Sequence, residues 1–188
     1  MVNIMKNYKI IYLISFFSGF LSLSQEILWM RIISFAGMSV PQTFSFTLAL
    51  FLVGISIGAI IGKKICKLRE NLQLSNIGII FFIAALVDLL LIVLVYFSFY
   101  FNGLILVLGS FVFFFVLVCG IVFLMIHHVG ANQVKTGAQI SNVYFSNVFG
   151  SALAPLLISF VALDFLNTQQ VYILICFLTL LISAICFY

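Results

Sequence analysis

The chain has 188 residues, 65% hydrophobic and 6% charged, against roughly 25% charged in soluble domains. That balance excludes a soluble globular fold. The net charge of +4 is gathered into short breaks between apolar runs, a membrane pattern rather than a nucleic-acid surface.

Six apolar stretches follow one another: Ile10–Phe35, Thr43–Gly62, Ile77–Phe99, Leu104–Ile126, Ile140–Leu163 and Val171–Tyr188. A bilayer crossing takes about 20 residues, so each is long enough to span. The expected fold is all-α: one polytopic membrane domain over residues 1–188, six transmembrane helices in a bundle, with no soluble catalytic domain.

The first run follows Lys6 and Lys9. Together with Ser22-Leu23-Ser24 these residues have the outline of a cleavable leader, but the apolar run resumes at Ile27 and reaches Phe35. A retained helix is expected. Within it Ser15, Ser18, Gly19, Ser22 and Glu26 recur at steps of three and four and share one face. Such a stripe belongs against protein or water, or forms a packing seam with Glu26 hydrated near the outer surface. Trp29 and Arg31 fall at the expected outer interface, as an aromatic anchor and a snorkelling cation.

The second run carries Gly54, Gly58 and Gly62, two overlapping GxxxG spacings that let helix backbones approach in lipid. Lys63, Lys64, Lys67 and Arg69 follow in the loop after it. With Lys6, Lys9 and Lys135, seven of the eight basic residues fall on one side of a six-span topology. The positive-inside rule makes that side cytoplasmic, so both termini are expected there, in the cell's cytoplasmic membrane.

The third run contains Asp88 between Ala84-Ala85-Leu86-Val87 and Leu89-Leu90-Leu91. A carboxylate at mid-bilayer costs about 3 kcal/mol on insertion scales, so intramembrane acids usually face the bundle interior and mark ion, proton or ligand paths. No basic residue is predicted at its depth. Asp88 is then protonated or water-lined, or it is an acid bonded to a neighbouring helix. It is the principal ligand- or proton-interacting residue expected here, with Glu26 and Asn147 as companions.

The fourth run ends at His127 and His128, whose adjacency puts them about 100° apart on a helix and does not suit two ligands on one face. The fifth run is the most polar, with Ser141, Asn142, Tyr144, Ser146, Asn147 and Ser151. Asn147 needs a partner, with interhelical bonding its default role. Ser146, Gly150 and Ala154 form a second small-residue stripe, followed by Pro155. Glu70 and Asp164 read as solvated loop charges. Cys66, Cys119, Cys176 and Cys186 form no CxxC or Cys/His cluster, so no disulfide framework, metal site or cofactor is expected.

Three stretches together carry a family resemblance. Ser18-Gly19-Phe20, Glu26-Ile27-Leu28-Trp29-Met30-Arg31 and the glycine-rich second run resemble the start of the membrane region of transmembrane spermidine synthase-like proteins. Tyr144-Phe145-Ser146-Asn147-Val148-Phe149-Gly150 is similar to that region's Tyr-x-x-Asn-x-x-Gly helix. In that family the membrane region is usually fused to an aminopropyltransferase-like domain, which is absent here along with any Gly-rich nucleotide loop after a strand. The resemblance implies a membrane module, not catalytic alone, that docks a separate soluble aminopropyltransferase-like enzyme or handles its substrate or product. Six spans with a glycine stripe and a basic loop also resemble half of a major facilitator transporter. The loop lacks that superfamily's acidic signature residue, with Cys66 near its place. The alternative this implies is a small-solute or cation transporter acting as a homodimer of six-span halves.

Overall fold

The computed structural model describes residues 2–36, 41–68, 72–98, 104–133 and 137–187. They form six long helices: α1 (Val2–Ala36), α2 (Pro41–Leu68), α3 (Leu74–Ser98), α4 (Leu104–Gln133), α5 (Gly137–Leu157) and α6 (Thr168–Phe187). No strand occurs among the described residues. Five helical segments are long and apolar enough to cross a membrane: Lys9–Phe35, Pro41–Leu68, Leu108–Gly130, Gly137–Phe165 and Thr168–Phe187. In α3 the stretch Leu74–Leu90 is apolar but shorter.

Local chemistry sets several helix ends. Pro41 opens α2 at the first helical position, where its missing N–H is not needed. Asn167 precedes α6, and Gln170 three residues on accepts its backbone N–H at 3.0 Å, one half of a capping box. Pro155 lies inside α5 and cannot bond the Ser151 carbonyl. Soon after it the helix widens to a π-turn at Ile158–Ala162, where the Leu163 N–H reaches the Ile158 carbonyl, and a last turn follows at Leu163–Phe165.

Two expectations about position change. Lys63, Lys64 and Lys67 sit on the last turns of α2 rather than in a loop, because no glycine or proline follows Gly62 up to Leu68 and the helix runs on. They remain exposed at that end. Arg69, Glu70 and Lys135 lie outside the described residues. Trp29 is not an interfacial anchor: it is 1% exposed and packs inside the bundle. Arg31 is exposed, its guanidinium 5.9 Å from the Phe35 ring centre, as a snorkelling cation would be. Asp164 is exposed on the short turn.

The helices pair in a regular way. The dominant contacts are α1 with α5, α2 with α4 and α3 with α6, followed by α1 with α4. Contacting positions advance together along α1 and α5 and along α2 and α4, so those pairs run parallel; α3 and α6 run antiparallel. Exchanging the triplet α1–α2–α3 with α4–α5–α6 interchanges the α1–α5 and α2–α4 pairs and leaves α3–α6 and α1–α4 as they are. That is the signature of two three-helix units related by inversion.

Glycines make the two parallel pairs possible. A methyl on Gly58 would overlap the Leu117 carbonyl oxygen, and one on Gly120 would lie 2.6 Å from the Ile55 carbonyl oxygen. The same arrangement recurs in the other pair, where Gly19 meets the Asn147 backbone and Gly150 the Phe16 carbonyl. Gly54 and Gly62 continue the α2 seam against Val116 and Ile121. The glycine stripes therefore face protein, and close backbone approach supplies the dispersion contacts that hold helices together in lipid.

Candidate functional site

The most polar point of the bundle lies where α1, α3 and α6 converge. Asp88 in α3 is 0% exposed. Its Oδ2 accepts from Gln25 Nε2 of α1 at 2.7 Å, and its Oδ1 accepts from the Tyr172 hydroxyl of α6 at 3.0 Å. Both donors are neutral. The Tyr172 and Trp29 rings also meet in a T-shaped contact, 5.7 Å between centres at 88°. Gln25 and Trp29 are one helical turn apart and so share a face of α1.

Further side chains complete the surroundings. Cys119 of α4 bonds Ser22 and lies within electrostatic reach of Asp88, as does Cys176 of α6. All four cysteines are free. Among the described residues no group of three or more His, Cys, Asp or Glu gathers to hold a metal ion. Tyr172 is the fifth residue of α6, about 6 Å from its start at 1.5 Å per residue. The cluster therefore lies in the half of the bundle where α6 begins, not at its middle.

The arrangement is chemically asymmetric. A carboxylate with both oxygens bonded is satisfied locally, but neither donor carries a compensating positive charge. Burial without a cation disfavours the ionised form, and the two donors favour it. Two polar atoms beside it, Gln25 Oε1 and Trp29 Nε1, are buried without a partner.

The residues expected from sequence separate. Asp88 points into the bundle. Glu26 is half-buried, and as the neighbour of Gln25 it lies about 100° around α1 from the side chain that reaches Asp88. Asn147 donates Nδ2–H to the Ser15 carbonyl at 3.0 Å, while the Ser15 hydroxyl donates to the Val143 carbonyl at 2.7 Å. Ser15 lies ten residues before Gln25, about 15 Å along α1. Asn147 thus ties α5 to α1 well away from Asp88. Gly54, Gly58, Gly62 and Gly150 lie at the helix crossings described above.

Gln25 and Tyr172 were not singled out from sequence. Gln25 is hidden beside the more conspicuous Glu26, and Tyr172 resembles any tyrosine near a membrane interface. One signal was present: Gln25 precedes Trp29 by four residues, and both point the same way on α1. An apolar crevice lined by Ile11, Ile14, Leu74, Ile77, Ile126 and Val129 lies toward the other end of α1 and has no room for a water molecule. Comparison of the chain with family models, curated proteins and solved structures finds no match.

Proposed function

We propose that this chain is a multi-pass membrane protein of the transporter type, built as two inverted three-helix units around an internal carboxylate that handles a small positively charged ligand. It has six spans, α3 included, with both termini on the cytoplasmic side. The observation that carries the reading is Asp88 at 0% exposure, held only by neutral donors from two other helices. A fully buried acid without a basic partner carries a desolvation cost, and that cost favours a role beyond packing. The inverted helix pairing supports the same reading, because internal repeats of this kind recur in secondary carriers with sites at the repeat interface. Six spans make half of a two-lobed carrier, so the working unit is a homodimer.

The test uses the full chain in sealed liposomes carrying an internal pH dye, with imposed gradients of protons, Na⁺ or K⁺. Wild-type vesicles should pass one of these cations, and Asp88→Asn, eluting as the same species from a sizing column, should not. Equal tightness of wild-type and variant vesicles would sink the reading.

A second reading follows from the resemblance to spermidine synthase-like membrane regions: docking of a separate soluble enzyme. The exposed Lys63, Lys64 and Lys67 at one end of α2 favour it, since they offer a basic surface to an acidic partner. Charge reversal at these three lysines should release such an enzyme from membranes. Retention after reversal would exclude this surface.

A further inference from the structure

The ligand of Asp88 can be narrowed from the two atoms its cluster leaves over. Gln25 is 0% exposed, yet only its Nε2 is bonded; its Oε1 is buried and unpartnered, like Trp29 Nε1. An ionised carboxylate is an acceptor only, whereas a protonated one carries a single donor hydrogen. As placed, both Asp88 oxygens accept, so the arrangement is complete for the ionised form. The acid form needs an acceptor for its hydrogen. On Oδ1 that is the Tyr172 hydroxyl oxygen, at the loss of its own donation; on Oδ2 it is the unused end of the amide already in contact, which leaves the Tyr172 bond intact.

The amide can supply it without moving the helix. The terminal torsion of glutamine is broad and roughly two-fold, so a half-turn interchanges Nε2 and Oε1 at the carboxyl group. Proton uptake then breaks the Nε2–H···Oδ2 bond and forms Oδ2–H···Oε1, while Tyr172 continues to donate to Oδ1. Proton release reverses both changes. A metal ion fits less well, because hard cations take several oxygen ligands and, among the described residues, no second carboxylate, His or Cys group gathers with Asp88 to hold one. An organic amine would have to enter beside a carboxyl group that is 0% exposed. The groups that bond Asp88 or interact with it electrostatically are Gln25 from α1, Cys119 from α4, and Tyr172 and Cys176 from α6, with Ser22 bonded to Cys119 and Trp29 packed on Tyr172 behind them. None of them is basic, so none holds the proton in its place.

We infer that the ligand handled by Asp88 is a single proton, and that Gln25 is its positioning residue, donating to the carboxylate in one state and accepting from the acid in the other. The inference rests on the proposal above that Asp88 is a ligand-handling group. It gives the cluster a reversible change that keeps α1 and α3 joined in both states.

Trp29 makes the test direct, because it is the single tryptophan of the chain and touches Tyr172. The full chain in lipid nanodiscs is titrated with acid in sodium, potassium and choline salts at equal ionic strength. Tryptophan emission and the infrared C=O stretch of the protonated carboxyl are recorded together. The expected result is one single-proton transition with the same midpoint in all three salts, absent in Asp88→Asn. In Gln25→Met the carboxyl band should move to the frequency of an acid with no acceptor, a change that loss of packing alone does not produce. A midpoint that follows sodium or potassium concentration would overturn the proton assignment and leave Asp88 as a metal-cation group. No transition in the wild type, or an unchanged band in Gln25→Met, would also overturn the inference, and neither outcome depends on whether Asp88→Asn folds. Intact titration with equally tight wild-type and Asp88→Asn liposomes would instead reject the transport reading while sparing the proton site.

Discussion

The bundle joins its helices in two different ways. At the tightest points of the α2–α4 and α1–α5 crossings glycines let backbones touch; where α1, α3 and α6 meet, three polar side chains reach across the gap. The first kind of joint gains its strength from many weak dispersion contacts and has no space for anything larger than hydrogen. At Gly58, Gly120, Gly19 and Gly150 there is no side chain to titrate, so these contacts carry no charge that pH could change. The second kind depends on a few hydrogen bonds, each modest in net worth but costly to leave half-made. It contains an ionisable side chain, Asp88, at its centre. The same α1 takes part in both, fixed at Gly19 and responsive at Gln25.

Substitutions can test this contrast, beginning with the largest effect. Gly58→Leu or Gly19→Leu places a side chain against backbone, and the cost should exceed ~3 kcal/mol, the upper end of ordinary overpacking. Loss of a monodisperse species in detergent is the expected readout, and unchanged melting would show that the crossings have slack. Next comes Gln25→Leu, which removes a donor from the buried carboxyl group and should cost about 1.5–3 kcal/mol. Thermal melts of that variant alone and combined with Asp88→Leu should show strong non-additivity, because the second change removes the unpaired acid. Simple additivity would mean that the two side chains are not coupled.

Smaller effects are expected where a single bond joins two helices or none. Asn147→Ala loses the tie to Ser15 and should cost roughly 0.6–1.7 kcal/mol, the range for interhelical bonds in membrane bundles. It should leave the acid titration of Trp29 emission unchanged, since the two places lie about 15 Å apart; a shifted titration would join the two regions that the comparison separates. Ser56→Ala should be within about 0.5 kcal/mol, because its hydroxyl bonds the Leu52 carbonyl of its own helix.

The two kinds of joint were not equally legible in the sequence. Glycine at four-residue steps identifies the α2 contact face, because nothing else places three side-chain-free positions in line. It does not name the partner helix: Gly120 of α4 has no glycine three or four residues away, its nearest being Gly109 and Gly130. Asp88 was conspicuous for its cost in lipid, so its inward orientation could be anticipated. Its partners could not, since Gln25 and Tyr172 lie 63 and 84 residues away along the chain and carry no charge to draw notice. Glu26 drew that notice instead, although one residue on a helix turns a side chain about 100° away. Trp29 was misplaced for a related reason: an indole near the end of an apolar run reads as an interfacial anchor unless the next helix supplies an aromatic edge to pack it.

Parallel pairing of α1 with α5 also has a consequence in time. Ser15 and its acceptor at Val143 are separated by 128 residues, and Gln25 and Asp88 by 63. At a synthesis rate of roughly 5–20 residues per second, Gln25 waits about 3–13 s for its carboxylate and Ser15 about 6–26 s for its carbonyl. The first helix therefore enters the bilayer well before the groups that satisfy it exist, and during that interval water, lipid headgroups or the insertion machinery must solvate its polar face. The helix made earliest is among the last to reach its final neighbours.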